Sequence, residues 1–452
     1  MMDDILATAV RDADQTEAVA VARGAADDCG PLLRQTGDGA PLLVVADENT
    51  WAAAGPQTSR AASSAGLQLA ESMVFPASPT LYASLDNAAA IRDAITAADA
   101  AMGREVLPVA VGAGTLNDLV KMAAHELGRR YVVVGTAASM DGYTGAGAPI
   151  SNDGVKITMN CTAPKAVVFD LDVTAQAPAW MVASGYGDLA AKIPGGADWI
   201  LADAVGIEPI DEHVWKLVQS GVREALAHPR ELAAGQPEAF SGLVDGLVLS
   251  GLAMQVYGGT RPASGAEHYF SHIWELDHLG ADQDPPLSHG AKVAVGTLAM
   301  LAFYERFMAR DVAALDVDAA VAAWRPWEEV EADIRRTFTG ALAEHAVKET
   351  RAKYVDGDGL RQRLELLKQS WPATQARLEE QLVPAADFQQ QLSLAGAPSR
   401  PQDIGLDVAG LKATFPKAMY YRSRYTVLDV AREAGWYDQL VDEVFANDSL
   451  WS

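Results

Sequence analysis

Four of the eight histidines of this 452-residue chain fall between His268 and His289, in SGAEHYFSH and PPLSHGAKVAVGT. His268 and His272 are four residues apart, a spacing that puts both imidazoles on one face of a helix. His289 precedes a glycine at what reads as a helix start. Imidazole is the commonest side-chain ligand for a transition metal, and further ligands can come from distant sequence. Asp188, in SGYGDLAAK, is the leading carboxylate for that role. One Asp and two His with an open position form a catalytic layout, because closed structural sites use four protein ligands. An H-x-x-x-H pair alone serves equally well as a satisfied core or surface pair.

The elements that must position these residues fall into two regions. Up to about residue 177, β-branched runs alternate with helical patterns. PLLVVAD (41–47), EVLPVAV (105–111), YVVVG (131–135) and KAVVFDLD (165–172) read as buried parallel strands. Between them, DNAAAIRDAITAADAAM and LNDLVKMAAHELG read as helices. This alternation predicts an α/β domain, 1–177, with a doubly wound, Rossmann-like parallel sheet whose ligands gather at the strands' carboxyl ends. From 178 to 452 the chain reads as an all-α domain. Its long amphipathic helices include 208–227, 239–258 and 291–309, and AQAPAW (175–180) is the hinge between the domains.

The first region carries a phosphate-binding signal. VGAGTLNDLVK (111–121) is a strand end, a Gly-x-Gly-Thr turn and a helix start. Gly112 and Gly114 let backbone approach a ligand, and free amides at the helix N-terminus suit a pyrophosphate. Asp47 closes the first confident strand, where an acid accepts hydrogen bonds from adenosine ribose or simply caps the next helix. The small-residue loop GTAASMDGYTGAGAP (135–149) suits close contact with a flat ring or small polyol, and places Asp141 within it.

Composition excludes several classes. A formal charge of −25 argues against nucleic acid and anionic membranes. The start MMDDILATAV lacks the basic and apolar regions of a signal peptide. No uninterrupted apolar run approaches a membrane span; LVDGLVLSGLAMQV is broken by Asp245 and glycines. Two distant cysteines, Cys29 and Cys161, fit a reducing cytoplasm.

Taken together, GxGT–N-D-x-x-K, TAASMDGY, PKAVVFDLDV, GYGDLAAK, SGAEHYFSH and the final HG resemble the sn-glycerol-1-phosphate dehydrogenases. These belong to the iron-containing alcohol dehydrogenase and dehydroquinate synthase-like superfamily. The bacterial, arabinose-operon-associated branch is the most similar, through SMDGYT and EHYFSHIWE. The resemblance covers roughly residues 40–300. It implies that Asp188, His268 and His289 hold a divalent metal (zinc, nickel or iron), and that His272 and Asp141 contact substrate. It also implies that Gly112, Gly114 and Thr115 lie along the pyrophosphate of NAD, or of NADP. Thr136 and Ser139 would then approach the nicotinamide half and Asp47 the ribose, in an assembly of at least two subunits.

The expected chemistry is interconversion of dihydroxyacetone phosphate and sn-glycerol 1-phosphate, the metal acidifying the alcohol and the nicotinamide taking hydride. His272, with an ordinary pKa near ~6.5, is the expected proton relay. Lys192 is the favoured phosphate anchor among Lys156, Lys192, Arg261 and Lys292. A dehydrogenase of an unphosphorylated polyol, such as glycerol, and a non-catalytic dinucleotide sensor are the alternatives.

Overall fold

The computed structural model describes residues 2–152, 155–446 and 450–451. Its strands are β1 (Ala18–Ala22), β2 (Leu42–Asp47), β3 (Met73–Phe75), β4 (Leu107–Gly112), β5 (Val132–Gly135), β6 (Gly147–Asn152), β7 (Val155–Asn160) and β8 (Ala166–Asp170). Six form one parallel sheet in the order β1-β8-β5-β4-β2-β3, and β6 and β7 pair as an antiparallel hairpin. The four strands read from sequence are β2, β4, β5 and β8, the middle of the sheet. The chain leaves β2 for β3 at one edge, then returns to β4 on β2's other side. That reversal opens a crevice at the carboxyl ends of β2 and β4.

Side chains in the sheet alternate between two packed faces, as the period of two requires. Leu42, Val44, Ala46, Val109, Val111, Val132, Val134 and Val168 bury against one layer of helices. Leu43, Val45, Ala110, Val133, Val167 and Phe169 point the other way, into the larger core. That larger core runs on through the helical region as far as Val444.

Beyond Asp170 every described element is helical. The N-terminal helix, Met2–Asp12, is an exception to a simple division at 177. It packs against the helices Glu212–Gln219 and Pro237–Tyr257, and Asp12 Oδ2 meets His213 Nε2 at 2.9 Å. Two helical expectations also change. The stretch 208–227 breaks at Gly221 into Glu212–Gln219 and Val222–Ala225. The helix Pro237–Tyr257 is apolar all round rather than amphipathic, long and apolar enough to cross a membrane. Two thirds (67%) of its most apolar stretch is nonetheless buried inside the fold, as a core helix requires.

Candidate active site

Two helices meet so closely that only glycine fits at their crossing. The helix Ala179–Ala190 carries Gly187 and Asp188; the helix His289–Met308 begins with His289 and Gly290. A Cβ on Gly290 would lie 1.9 Å from the carbonyl oxygen of Ser184, and one on Gly187 would lie 2.5 Å from that of Gly290. The missing side chains bring Asp188 alongside His289. A third helix, Ala266–Leu276, supplies His268 and His272, whose ring centres are 6.1 Å apart. His268 and His289 stand 5.5 Å apart by the same measure, and His272 and His289 5.8 Å. Asp188, His268 and His289 each offer a ligand atom, all within 4.8 Å of one another.

The donor set fits a divalent metal. Asp188 is wholly buried; its Oδ2 accepts a hydrogen bond from Asp141 N at 2.9 Å, while its Oδ1 faces His268 Nε2 at 3.5 Å and Lys192 Nζ at 3.6 Å. A buried carboxylate oxygen held by such long contacts is better satisfied by a bound cation. His268 Nδ1 lies 2.9 Å from Glu267 Oε1, and His289 Nδ1 lies 2.9 Å from Glu275 Oε1. A carboxylate on Nδ1 holds a proton there and turns Nε2 toward the site, where a bound metal would take the place of any proton, the usual arrangement of a metal-binding histidine. Glu275 also reaches His272, its Oε2 lying 3.4 Å from Nδ1. Neither Glu267 nor Glu275 was singled out from sequence. Glu275 was findable, since it stands three residues after His272 and seven after His268, on the same helix face.

Lys192 departs from its expected role. One turn after Asp188, its ammonium is fully buried, 2.7 Å from Asp141 Oδ2 and 3.6 Å from Asp188 Oδ1, and donates to Asp188 O at 2.9 Å. Enclosed by these oxygens, it braces two carboxylates and does not face a substrate phosphate. Burial works against its charge, but Asp141 and Asp188 outweigh this and hold its pKa up. Asp188 shows the mirror image. Burial opposes ionisation, yet Lys192, His268 and His289 hold its carboxyl well below the usual range. Burial also opposes charge on His268, which hydrogen bonds to Asp188 and Glu267 nevertheless raise to about 9.

His272 moves the other way. Burial lowers it to about 4 despite Glu275, and the neighbouring imidazoles add to the effect. The relay expected at ~6.5 is instead a neutral imidazole near pH 7, suited to hydrogen bonding. Of the other cations considered, Arg261 is buried and donates to the carbonyls of Asp198 and Tyr425. Lys292 Nζ lies 3.4 Å from Leu287 O, and the Lys156 side chain falls outside the described residues.

The loop between β5 and β6 is clamped from both sides. Lys121 Nζ donates to the carbonyls of Gly142 and Gly147, each at 2.9 Å, and pairs with Asp118 at 3.3 Å. From the core helix, Ser250 Oγ donates to Asp141 Oδ2 at 2.8 Å. Asp141 is thereby aimed at Asp188 and Lys192. Asn117 and Asp118 serve structure, Asn117 accepting from Tyr131 OH at 2.8 Å.

At the sheet edge β4 ends at Gly112, and the helix Gly114–Glu126 starts without a side-chain cap. Its first amides, Thr115 among them, therefore remain available to an anion. A Cβ on Gly114 would meet Met140 Cε at 2.9 Å. Thr136 follows β5 and donates from its amide to Gly112 O at 3.1 Å; the Ser139 carbonyl accepts from Ser184 Oγ at 2.9 Å. Thr136 and Ser139 thus bridge the glycine turn and the helix of Asp188. Asp47, at the end of β2, caps the helix Glu48–Ser64 by accepting from Thr50 N at 2.9 Å, one half of a capping box.

Comparison with known proteins agrees with this architecture. The structure superposes on a probable glycerol dehydrogenase from Sinorhizobium meliloti with a TM-score of 0.58, at 17% identity, covering 95% of this chain and 98% of that one. Glycerol dehydrogenase from Schizosaccharomyces pombe gives 0.56 at 14% identity, covering 97% and 93%. At such identities the likeness speaks for the fold alone. Residues 20–178 match the family described as iron-containing alcohol dehydrogenase.

Sequence relatives narrow the class. The glycerol-1-phosphate dehydrogenase (NAD(P)+) of Halalkalibacterium halodurans is 37% identical over 264 residues, 58% of this chain and 65% of that protein. That of Bacillus subtilis is 33% identical over 270 residues, 60% of this chain and 67% of its own length. The chain belongs to the glycerol-1-phosphate dehydrogenase family of the iron-containing alcohol dehydrogenases. The matches span between 49% and 67% of the bacillary relatives' own length.

Proposed function

We propose that this chain is a metal- and NAD(P)-dependent sn-glycerol-1-phosphate dehydrogenase, interconverting dihydroxyacetone phosphate and sn-glycerol 1-phosphate. The observation that carries the reading is the convergence of buried Asp188 with two imidazoles braced through Nδ1, their ligand atoms all within 4.8 Å of one another. Asp188, His268 and His289 would hold the metal, which when bound acts as a Lewis acid on the substrate oxygen. A bound nicotinamide would supply or take the hydride.

The chain's own residues do the rest. Lys192 keeps Asp188 ionised and holds Asp141 in register with it, offsetting the several kcal/mol that burying a charge costs. Asp141 and His272 receive the substrate hydroxyls and orient the reacting carbon. Free amides from Gly114 and Thr115 take the pyrophosphate, with Gly112 admitting it closely. Thr136 and Ser139 flank the nicotinamide half. Asp47 faces the adenosine ribose with the oxygen its cap leaves over, which favours NAD over NADP. The superfamily resemblance supports a homodimer or larger assembly, and the cysteine usage a cytoplasmic one.

A dehydrogenase of an unphosphorylated polyol is the second reading, favoured by the enclosure of the Lys192 ammonium by Asp141 and Asp188. Steady-state reduction by NADH separates the two. Binding energy from a phosphate that the site uses raises kcat as well as lowering KM. We expect kcat/KM for dihydroxyacetone phosphate to exceed that for dihydroxyacetone at least ~100-fold, about 2.7 kcal/mol, with the sn-1 enantiomer as product. Equal efficiency would favour the polyol, and an sn-3 product would contradict the assignment.

A further inference from the structure

A phosphate monoester is a poor guest for the metal cleft itself. Asp141, Asp188, Glu267 and Glu275 all crowd it, and the buried ammonium of Lys192 is enclosed by Asp141 and Asp188. The phosphorus of a three-carbon ester is three bonds from the reacting carbon, so its anchor must stand beside the cleft rather than inside it. Two arginines nearby are already engaged. Arg261 donates to the carbonyls of Asp198 and Tyr425 and lies 3.2 Å from Glu208. Arg424 donates to Ser264 O and Oγ and to Thr260 Oγ1.

Arg422 differs. The helix Val408–Tyr421 ends against the histidine cluster, with the Tyr421 ring centre 6.0 Å from that of His272. Arg422 is the next residue, in extended backbone, and its guanidinium carbon lies 5.1 Å from the same Tyr421 ring centre. His345 approaches that ring too, at 5.8 Å. Glu349, the carboxylate nearby, accepts from Ser423 N at 2.9 Å. Burial opposes ionisation of that carboxyl, yet Ser423, His345 and Arg422 hold it below its ordinary range. Arg422 also hydrogen-bonds Tyr421; among the described residues no ion pair within 4 Å holds it, and it is partly exposed.

We propose that Arg422, stacked on Tyr421 with His345 beside it, is the phosphate-monoester subsite of the substrate. The proposal rests on the phosphorylated-substrate reading above. A guanidinium presents a planar fork of donors that matches phosphate oxygens two at a time, and stacking on an aromatic ring orients the fork before the ligand arrives. Tyr421 links the two ends of the substrate, its ring centre lying 5.1 Å from the guanidinium carbon and 6.0 Å from the His272 ring centre. The subsite therefore selects the phosphorylated ketone by what lies next to the reacting carbon, while the metal cleft handles the carbon itself.

The test is kinetics of metal-loaded enzyme with NADH on both ketones, for wild type, Arg422→Gln and Arg422→Lys. Losing a charge-assisted, bidentate contact should lower kcat/KM for dihydroxyacetone phosphate roughly 30-fold in Arg422→Gln, with dihydroxyacetone changed less than about twofold. Unchanged dihydroxyacetone turnover also shows that the variant is folded. Arg422→Lys, a charge without the fork, should fall between the two. Inorganic phosphate should compete with the phosphorylated ketone in wild type and do so at least about tenfold more weakly in Arg422→Gln. An Arg422→Gln enzyme with the wild-type preference and wild-type phosphate inhibition overturns the subsite while leaving the substrate reading intact. A wild type that treats both ketones alike overturns the reading, and the subsite with it.

Discussion

The carboxyl edge of the sheet and the histidine cluster are built by opposite means. The edge is made of backbone: a strand ending at Gly112, an uncapped helix from Gly114, and a loop whose carbonyls Lys121 gathers. The cluster is made of charge: three histidines and two aspartates braced by Glu267, Glu275, Lys192 and Ser250. Backbone sites depend on the absence of side chains, and charged sites depend on partners. Substitutions should therefore hurt the two regions differently, most where a cation's ligand is lost and least where a ribose contact is shared with a helix cap.

The largest effect should follow removal of an imidazole from the cluster. His268→Ala and His289→Ala should lose most bound metal by elemental analysis, and kcat/KM should fall on the order of 10³-fold, the several kcal/mol a Lewis acid contributes. Far-ultraviolet circular dichroism should stay unchanged. Normal turnover at full metal content would remove both residues from the site.

A smaller loss should come from the braces. Glu275→Gln keeps shape but loses the charge behind His289 and His272 and one of the two acceptor oxygens that face them. Metal affinity, measured by competition with a chelator, should weaken about 10–100-fold. An unchanged affinity would make Glu275 a packing residue.

At the crossing, Gly290→Ala should act through sterics. The added methyl meets the Ser184 carbonyl, so overpacking should cost about 1–3 kcal/mol and lower Tm. Since the crossing also sets the spacing of Asp188 and His289, metal affinity should drop with it. A variant with wild-type Tm would show that the two helices can separate freely.

The mildest change belongs to the sheet edge. Asn is as good a cap as Asp, so Asp47→Asn should keep the helix start while removing the charge that opposes a 2′-phosphate. The ratio of kcat/KM for NAD over NADP should narrow several-fold with little change in Tm. Asp47→Gly should narrow it likewise, at a few tenths of a kcal/mol of stability. A wild type without cofactor preference would show that Asp47 is a cap alone.

The same contrast explains what the sequence disclosed. The four inner strands were legible because each is a β-branched run buried on both faces, and the glycine turn because a strand, two glycines and a helix follow in order. β1 escaped because AVAVA at a sheet edge carries little signal, and β3 because it is three residues long. The hairpin of β6 and β7 was hidden behind the glycine-rich loop. Asp188, His268 and His289 stood out by residue type, and the structure brings them together. The carboxylate contacts of Lys192 were out of reach because a lysine near a motif looks the same in sequence whether it faces a phosphate or two buried carboxylates. The pKa of His272 was equally out of reach, since burial and neighbouring imidazoles set it. Arg422 lies some 150 residues from His272, and the fold alone makes them neighbours through Tyr421.

Zinc X-ray absorption on the zinc-loaded protein tests the central claim most directly, because it reads the ligands rather than the turnover. The expected spectrum has two imidazole nitrogens and carboxylate oxygen at ~2.0–2.2 Å, no sulfur, and one imidazole fewer in His289→Ala. A spectrum unchanged in both His268→Ala and His289→Ala would contradict it.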